Sequence, residues 1–329
     1  MPLETIYVTR HGFRSNWLVD PSSGSYSATI KSPTGRPADP ALTAHGVQQA
    51  RELGHHLLTI DPPIERVYSS LYYRCLQTVE PFVRGRLTDG LKIRGETGIG
   101  EWYGAAKFEH PVPAAPDELD SHFPALLDLT YRPAVVPTRM GEGVDELHNR
   151  VAATMEALIA ECDRDGVKTV LLCSHAAVVI ALGRVLTGNM PDNIEVEDFG
   201  AFTCGLSRYR RRKAACHGES PSLAVAAYAA SDTSAAAIAD PGSGWRGGRG
   251  VSSGWDCELN SDCSHLSMGE ERGWRFSGDE SFKDAEAQPS ILDSGKLGVV
   301  VEGRHKNQEA DSGVGDSGGT NAAHGGSRL

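Results

Sequence analysis

The chain has 329 residues, enough for one large or two modest domains, and a formal net charge of -11. That acidity argues against a general nucleic-acid coat, which needs surplus Lys and Arg, so no direct nucleic-acid partner is expected. No apolar run reaches the roughly 20 residues of a membrane span, the N-terminus lacks a leader's charged and apolar regions, and neither a membrane contact nor export is expected.

The first strand is expected in the β-branched run Ile6-Tyr7-Val8-Thr9. It ends in Arg10-His11-Gly12, with Arg14 close behind. This is either an ordinary strand exit with a solvated charge cluster or the floor of an anion-processing site. A Pro-, Ser- and Gly-rich loop follows, in which Arg36 is a candidate for the mouth of such a site. The segment "LTAHGVQQARELGHHLL" starts at a plausible N-cap, Thr43, and spaces Val47, Ala50, Leu53 and Leu57 as one helical face. "IERVYSS" reads as a second short strand, and Tyr72 to Val83 as a helix stopped near Pro81. A further amphipathic helix runs from about Asp145, with Leu147, Val151, Met155, Leu158 and Cys162 on one face. "KTVLLC" is a continuous apolar strand of the kind buried on both faces of a parallel sheet. It leads through Ser174-His175 into the apolar helix "AAVVIALGRVL". This alternation predicts a three-layer α/β/α sandwich with a mostly parallel central sheet.

Beyond Tyr209 the composition changes. Residues 210–254 read as a low-complexity insertion, although their Ala-rich part is compatible with a helix. Order is expected again over 255–283, where Trp274 and Phe276 alternate with polar residues as on a strand. Residues 284–329 read as a disordered tail by composition. The expected domain therefore comprises 1–209 and 255–283. The basic run Arg208 to Lys213 reads as a solvated strand end or loop, with nuclear import or nucleic-acid contact as the competing reading. Seven cysteines at irregular spacing, and His55-His56, lack the spacing of zinc ligands. Reduced thiols in a cytosolic or nuclear protein, and no metal or cofactor, are expected.

Four pieces carry chemistry: Arg10-His11-Gly12 with Arg14, Arg74 in "SSLYYRCLQT", Glu101 in "ETGIGEWYG", and His175 at a helix start. Three of them sit at carboxyl ends of predicted strands, where open α/β sheets bind ligands. The chemistry they suggest is phosphoryl transfer through a phosphohistidine. A neutral imidazole attacks phosphorus and splits hydrolysis into two easier steps. The transferred group spreads charge over three oxygens and needs fixed cationic donors, which Arg10, Arg14 and Arg74 supply as planar forks. His175 adds a donor at a helix N-terminus, which favours anions. A carboxylic acid must protonate the leaving oxygen and later deprotonate water, and Glu101 is the candidate. Cys75 beside Arg74 is either a reactive thiol or simply a small helix residue.

These segments resemble the histidine phosphatase (phosphoglycerate mutase-like) superfamily. "VTRHG" resembles its nucleophile motif. "LTAHGVQQARELGHHL" resembles its LTxxGxxQAxxLGxxL helix, "YSSLYYRCLQT" its second motif, and "LLCSHAAVV" the segment of its second histidine. The likeness spans about residues 4 to 209. It implies a phosphoglycerate mutase-like fold, His11 as nucleophile, Arg10, Arg14, Arg74 and His175 as phosphate pocket, and Glu101 as proton donor. It adds Asn16 as a further phosphate contact. "RHGFR" and "ETGIGEWYG" are closer to phosphatases of the T-cell-signalling regulator and ecdysteroid-phosphate type. They are closer still to fungal proteins related to the 55 kDa tau subunit of RNA polymerase III transcription factor C. Ala176-Ala177 departs from the glycine that many members carry after the second histidine. The expected activity is thus metal-independent phosphomonoester hydrolysis on a substrate whose leaving group no motif identifies. The alternatives are a phosphatase-fold interaction subunit with protein partners and, more distantly, a mutase or sugar bisphosphatase.

Overall fold

The central strand β1 (Thr5–Arg10) is buried at all six positions. So is its parallel neighbour β6 (Thr169–Ser174), paired from Thr5 with Thr169 to Arg10 with Ser174. Burial on both faces explains why "TVLLC" shows no polar alternation. The computed structural model describes residues 2–213 and 244–278. Within them a six-stranded sheet runs in the order β5-β4-β6-β1-β7-β8. β5 (Ile93–Gly95), β4 (Arg66–Ser69), β6 and β1 are mutually parallel, whereas β7 (Leu206–Arg211) and β8 (Trp255–Asp262) continue the sheet antiparallel.

Alternating side chains of the sheet point into two separate cores. Tyr7, Leu171 and Cys173 face α1 (Ala44–Leu57) and α2 (Tyr73–Gly85), meeting Leu53, Leu57, Leu76, Val79 and Phe82. Ile6, Val8, Val170 and Leu172 face α4 (Val144–Asp165) and α5 (Ala176–Thr187), meeting Leu147, Val151, Met155, Leu158 and Val185. The architecture is the expected α/β/α sandwich with a mostly parallel sheet. Between β1 and α1 lies the hairpin β2 (Leu18–Asp20) and β3 (Ser25–Ser27), and α3 (Pro116–His122) lies in the long connection before α4.

Local chemistry sets the element ends. Thr43 caps α1 by accepting from Gly46 N. Gly46 itself is required by close approach, since a Cβ there would lie 2.0 Å from the Phe13 carbonyl oxygen. Pro81 does not stop α2. It lies inside the helix and rests on Gly54 of α1, where the missing side chain leaves it room.

Two boundaries and one expected strand differ from the sequence reading. β7 runs through Arg211, and residues 244–254 are folded, so 210–213 and 244–254 belong to the domain rather than to an insertion. Their polar appearance has a cause. Arg208 pairs with Glu258, Arg211 with Asp163 and Arg212 with Asp256, each within 2.9 Å, while Trp245 is buried against His148. Trp274 and Phe276 are not on a strand. The positive φ of Arg272 (53°) breaks the extended run, and the two rings pack on one another and on Trp102. The Ala-rich stretch, residues 279–283 and the tail 284–329 lie outside the described residues. Six cysteines among the described residues are free thiols, five of them buried. No helix of the described residues is long and apolar enough to cross a membrane.

Candidate active site

The carboxyl ends of the parallel strands converge on one point. Arg10 ends β1, and His11 N continues the ladder to Ser174 O at 2.9 Å. His175 is the N-cap residue of α5, directly after β6. Arg74 sits in the first turn of α2 after β4, and Glu101 follows a single 3-10 turn (Thr97–Ile99) after β5. One ligand-type atom from each of His11, Glu101 and His175 lies within 4.8 Å of the other two.

The hydrogen bonds define the proton positions. His11 Nδ1 lies 2.8 Å from the Gly12 carbonyl oxygen. That oxygen can only accept, so Nδ1 carries the hydrogen and Nε2 keeps its lone pair. Burial, then the charges of Arg74, His175, Arg10 and Arg14, push the His11 pKa well below the usual histidine value. The imidazole is therefore neutral at pH 7. Its ring stands edge-on to His175, centroids 5.4 Å apart.

Glu101 Oε2 accepts from Arg74 Nη2 at 2.9 Å and lies 3.1 Å from His175 Nδ1. Burial raises the Glu101 pKa, but His175, Arg74 and His11 outweigh it and hold the carboxyl well below the usual range. At His175 burial opposes the charge, while Cys75 and Glu101 raise the pKa overall. Its Nε2 meets Ser70 Oγ at 2.8 Å and, at 3.6 Å, the buried Cys75 sulfur. Cys75 is a buried helix residue, and although burial raises its pKa, Cys173, His175 and Arg74 hold the thiol well below its usual value.

The cations are held by backbone and acid groups. Arg74 Nη1 donates to Ala38 O at 3.1 Å and lies 3.6 Å from the buried Asp39. Arg10 Nη1 donates to the carbonyls of Ala201 (2.7 Å) and Arg272. In both arginines Nε is buried with no protein partner among the described residues. Arg14 is buried, its guanidinium 5.7 Å from the Trp17 ring, and its charge reaches both Arg10 and His11. Asn16 is exposed, unlike the six other residues picked from the sequence.

Above this floor stands a cleft walled by Tyr72, Tyr103, His110 to Pro113, and Pro137 to Arg139. An aromatic layer backs it: Trp17 contacts Tyr26 and Tyr103, and Tyr103 Oη donates to Tyr72 Oη at 2.9 Å. Arg36 makes a two-pronged ion pair with Glu118 of α3 and so ties two rim loops together. Asp39, Tyr72 and Tyr103 escaped the sequence reading. Asp39 sits in the loop without pattern, where only its acidity among Pro and Gly was visible. Ser70 lies in "YSSLYYRCLQT", where no pattern sets it apart from Ser69.

The model of the histidine phosphatase superfamily (branch 1) matches residues 6–219. The chain belongs to that superfamily. The family named from its motifs is thereby borne out. Among its relatives, the transcription factor tau 55 kDa subunit of Saccharomyces cerevisiae is 36% identical over 216 residues, covering 64% of this chain and 48% of the relative. The ubiquitin-associated and SH3 domain-containing protein B of Mus musculus is 33% identical over 159 residues, 47% of this chain and 25% of the relative. The ecdysteroid-phosphate phosphatase of Drosophila melanogaster is 31% identical over 166 residues, 49% of this chain and 21% of the relative. The match spans less than half the length of each of these relatives. A crystal structure of the ecdysone phosphate phosphatase from Bombyx mori in complex with tungstate superimposes with a TM-score of 0.47 at 22% identity, covering 67% of this chain and 97% of that one.

Proposed function

We propose that this histidine phosphatase-family chain hydrolyses phosphomonoesters through a phosphohistidine on His11, without a metal ion. The observation that carries the reading is the neutral, Nδ1-anchored His11 ringed by three buried arginines. Nε2 attacks phosphorus as the ester P–O bond breaks, and the leaving oxygen takes a proton from Glu101. Water then attacks phosphorus, giving its proton to the Glu101 carboxylate, as the P–N bond breaks and its electron pair returns to Nε2. Inorganic phosphate leaves and His11 is restored. Arg10, Arg14, Arg74 and His175 hold the equatorial oxygens, with Arg10 Nε and Arg74 Nε as the donors left over by the protein. Their charge also supplies what a metal otherwise would.

Glu101 is ionised before substrate arrives. A phosphate dianion brings negative charge beside it and competes for Arg74 and His175, and both effects raise its pKa. Proton uptake therefore accompanies substrate binding. The test is hydrolysis of an aryl phosphate in chelator-containing buffer by the wild type and by His11→Ala. Activity that survives chelation and vanishes in the variant supports the reading, and equal near-zero rates of two folded proteins end it.

The likeness to the tau 55 kDa subunit favours a second reading, an interaction subunit of a transcription complex in the nucleus. Co-purification of the same partners by wild type and His11→Ala is expected if that role is independent of catalysis. Loss of those partners from the folded variant would count against it.

A further inference from the structure

We propose that Arg150 is a positioning residue for proton transfer, bolting the loop that carries Glu101 to the wall of the cleft. The proposal rests on Glu101 being the proton donor.

Arg150 lies on the buried side of α4 and never touches the phosphate floor. Its Nε is 2.8 Å from both carboxylate oxygens of Glu142, and its Nη1 donates to Gly98 O (2.8 Å) and Gly100 O (3.2 Å). Glu142 lines the cleft and in turn accepts from Trp102 Nε1 through its carbonyl, at 2.7 Å. The backbone is thus gripped on both sides of Glu101, at 98 and 100 before it and by the indole at 102 after it. The loop has little regular structure beyond one 3-10 turn. It is also pressed on the helix, since a Cβ at Gly98 would lie 2.2 Å from Thr154 Oγ1.

A buried ion pair is not needed for stability as such, because apolar residues of similar volume often serve as well. What apolar residues cannot do is address one carboxylate and two carbonyls at once from a rigid planar fork. That is the job of a group fixing a backbone to within a fraction of an ångström, the tolerance that proton transfer demands.

The test compares wild type, Arg150→Met, Glu142→Gln and Glu101→Gln in the full chain on two substrates. Phenyl phosphate has a poor leaving group that needs the acid, whereas 2,4-dinitrophenyl phosphate leaves without one. Folding is followed by thermal melting. The expected result for Arg150→Met is a fall in kcat/KM on phenyl phosphate of about 10- to 100-fold, with kcat/KM on the dinitrophenyl ester nearly unchanged. That ratio stops at phosphoryl transfer to His11 and leaves out the later hydrolysis, in which Glu101 is the base for both substrates. Glu142→Gln, which keeps the shape and removes the charge, shows the same selectivity with a smaller loss. It serves as the deciding variant should Arg150→Met not fold. Equal losses on both substrates, or no loss on either, by a folded variant overturn the proposal. If Glu101→Gln itself shows no selectivity for the poor leaving group, the proton-donor reading fails and the proposal falls with it. That outcome is distinct from a selective Glu101→Gln beside an unselective Arg150→Met.

Discussion

The floor and the rim of the candidate site are built in opposite ways. Arg10, His11, Arg74 and His175 hang from strand ends and helix starts, where ladder bonds such as His11 N to Ser174 O fix the backbone. The rim, residues 15–41 and 102–143, has only the small β2–β3 hairpin and the seven-residue α3 as regular structure. Beside scattered backbone bonds such as Ala106 N to Met140 O and His110 N to Arg139 O, side chains hold it, namely the Trp17, Tyr26 and Tyr103 rings and the Arg36–Glu118 pair. In the proposed reaction, bond-making chemistry is entrusted to rigid backbone, and the choice of leaving group to loops that can vary without disturbing it.

Substitutions at the floor should act on turnover. The largest effect is expected from His11→Ala, a loss of at least about a thousandfold in kcat with the fold retained, read by steady-state hydrolysis beside thermal melting. Glu101→Gln comes next, with about 10² to 10⁴ lost on esters of poor leaving groups. The pH profile follows from the same pair. Turnover needs neutral His11 and a proton on Glu101, taken up with substrate, and in the free enzyme both pKa values are lowered. The expected kcat/KM therefore rises as pH falls below neutrality, until His11 takes up a proton. An optimum above pH 8 would break the assignment.

At the rim, Tyr26→Ala is expected to raise KM for bulky aryl phosphates by about tenfold or less. The inhibition constant of inorganic phosphate, which sees only the floor, should not move. A parallel rise in both would erase the division between the two regions. The smallest effect concerns stability. Burial pushes His110 of the rim and His148 of the α4 core down to about 4. The unfolded chain, with histidines near 6.5, binds more protons below that pH. Their contribution is therefore complete above about 6.5 and declines towards pH 4 by at most about 1.4 kcal/mol per pH unit each. His148→Gln should flatten this slope in denaturant titrations. His110→Gln should do so only if the rim unfolds together with the core.

What the sequence made legible follows the same division. Arg10, His11, Arg74 and His175 lie beside short apolar strands whose ends are visible in the order of residue types, and the structure gathers them. Glu101 needed its Gly-rich surroundings and the resemblance. Asp39, Glu142 and Arg150 left no trace, because their contacts join loops to helices across long stretches of chain and obey no local period. The Arg-rich end of β7 read as a solvated strand end or loop because its charges are answered by Glu258, Asp163 and Asp256 on other elements. Pro81 misled for a related reason. Its tolerance depends on Gly54 of another helix.

Arg10 takes one of its two holds from the carbonyl of Arg272, 262 positions later in the chain. During synthesis this part of the clamp therefore leaves the ribosome 262 positions after Arg10. The nascent protein has the proposed nucleophile His11 and most of its sheet well before the pocket is closed. A fragment ending at residue 219, where the family match stops, would carry every candidate catalytic group and still lack β8 and that final hold.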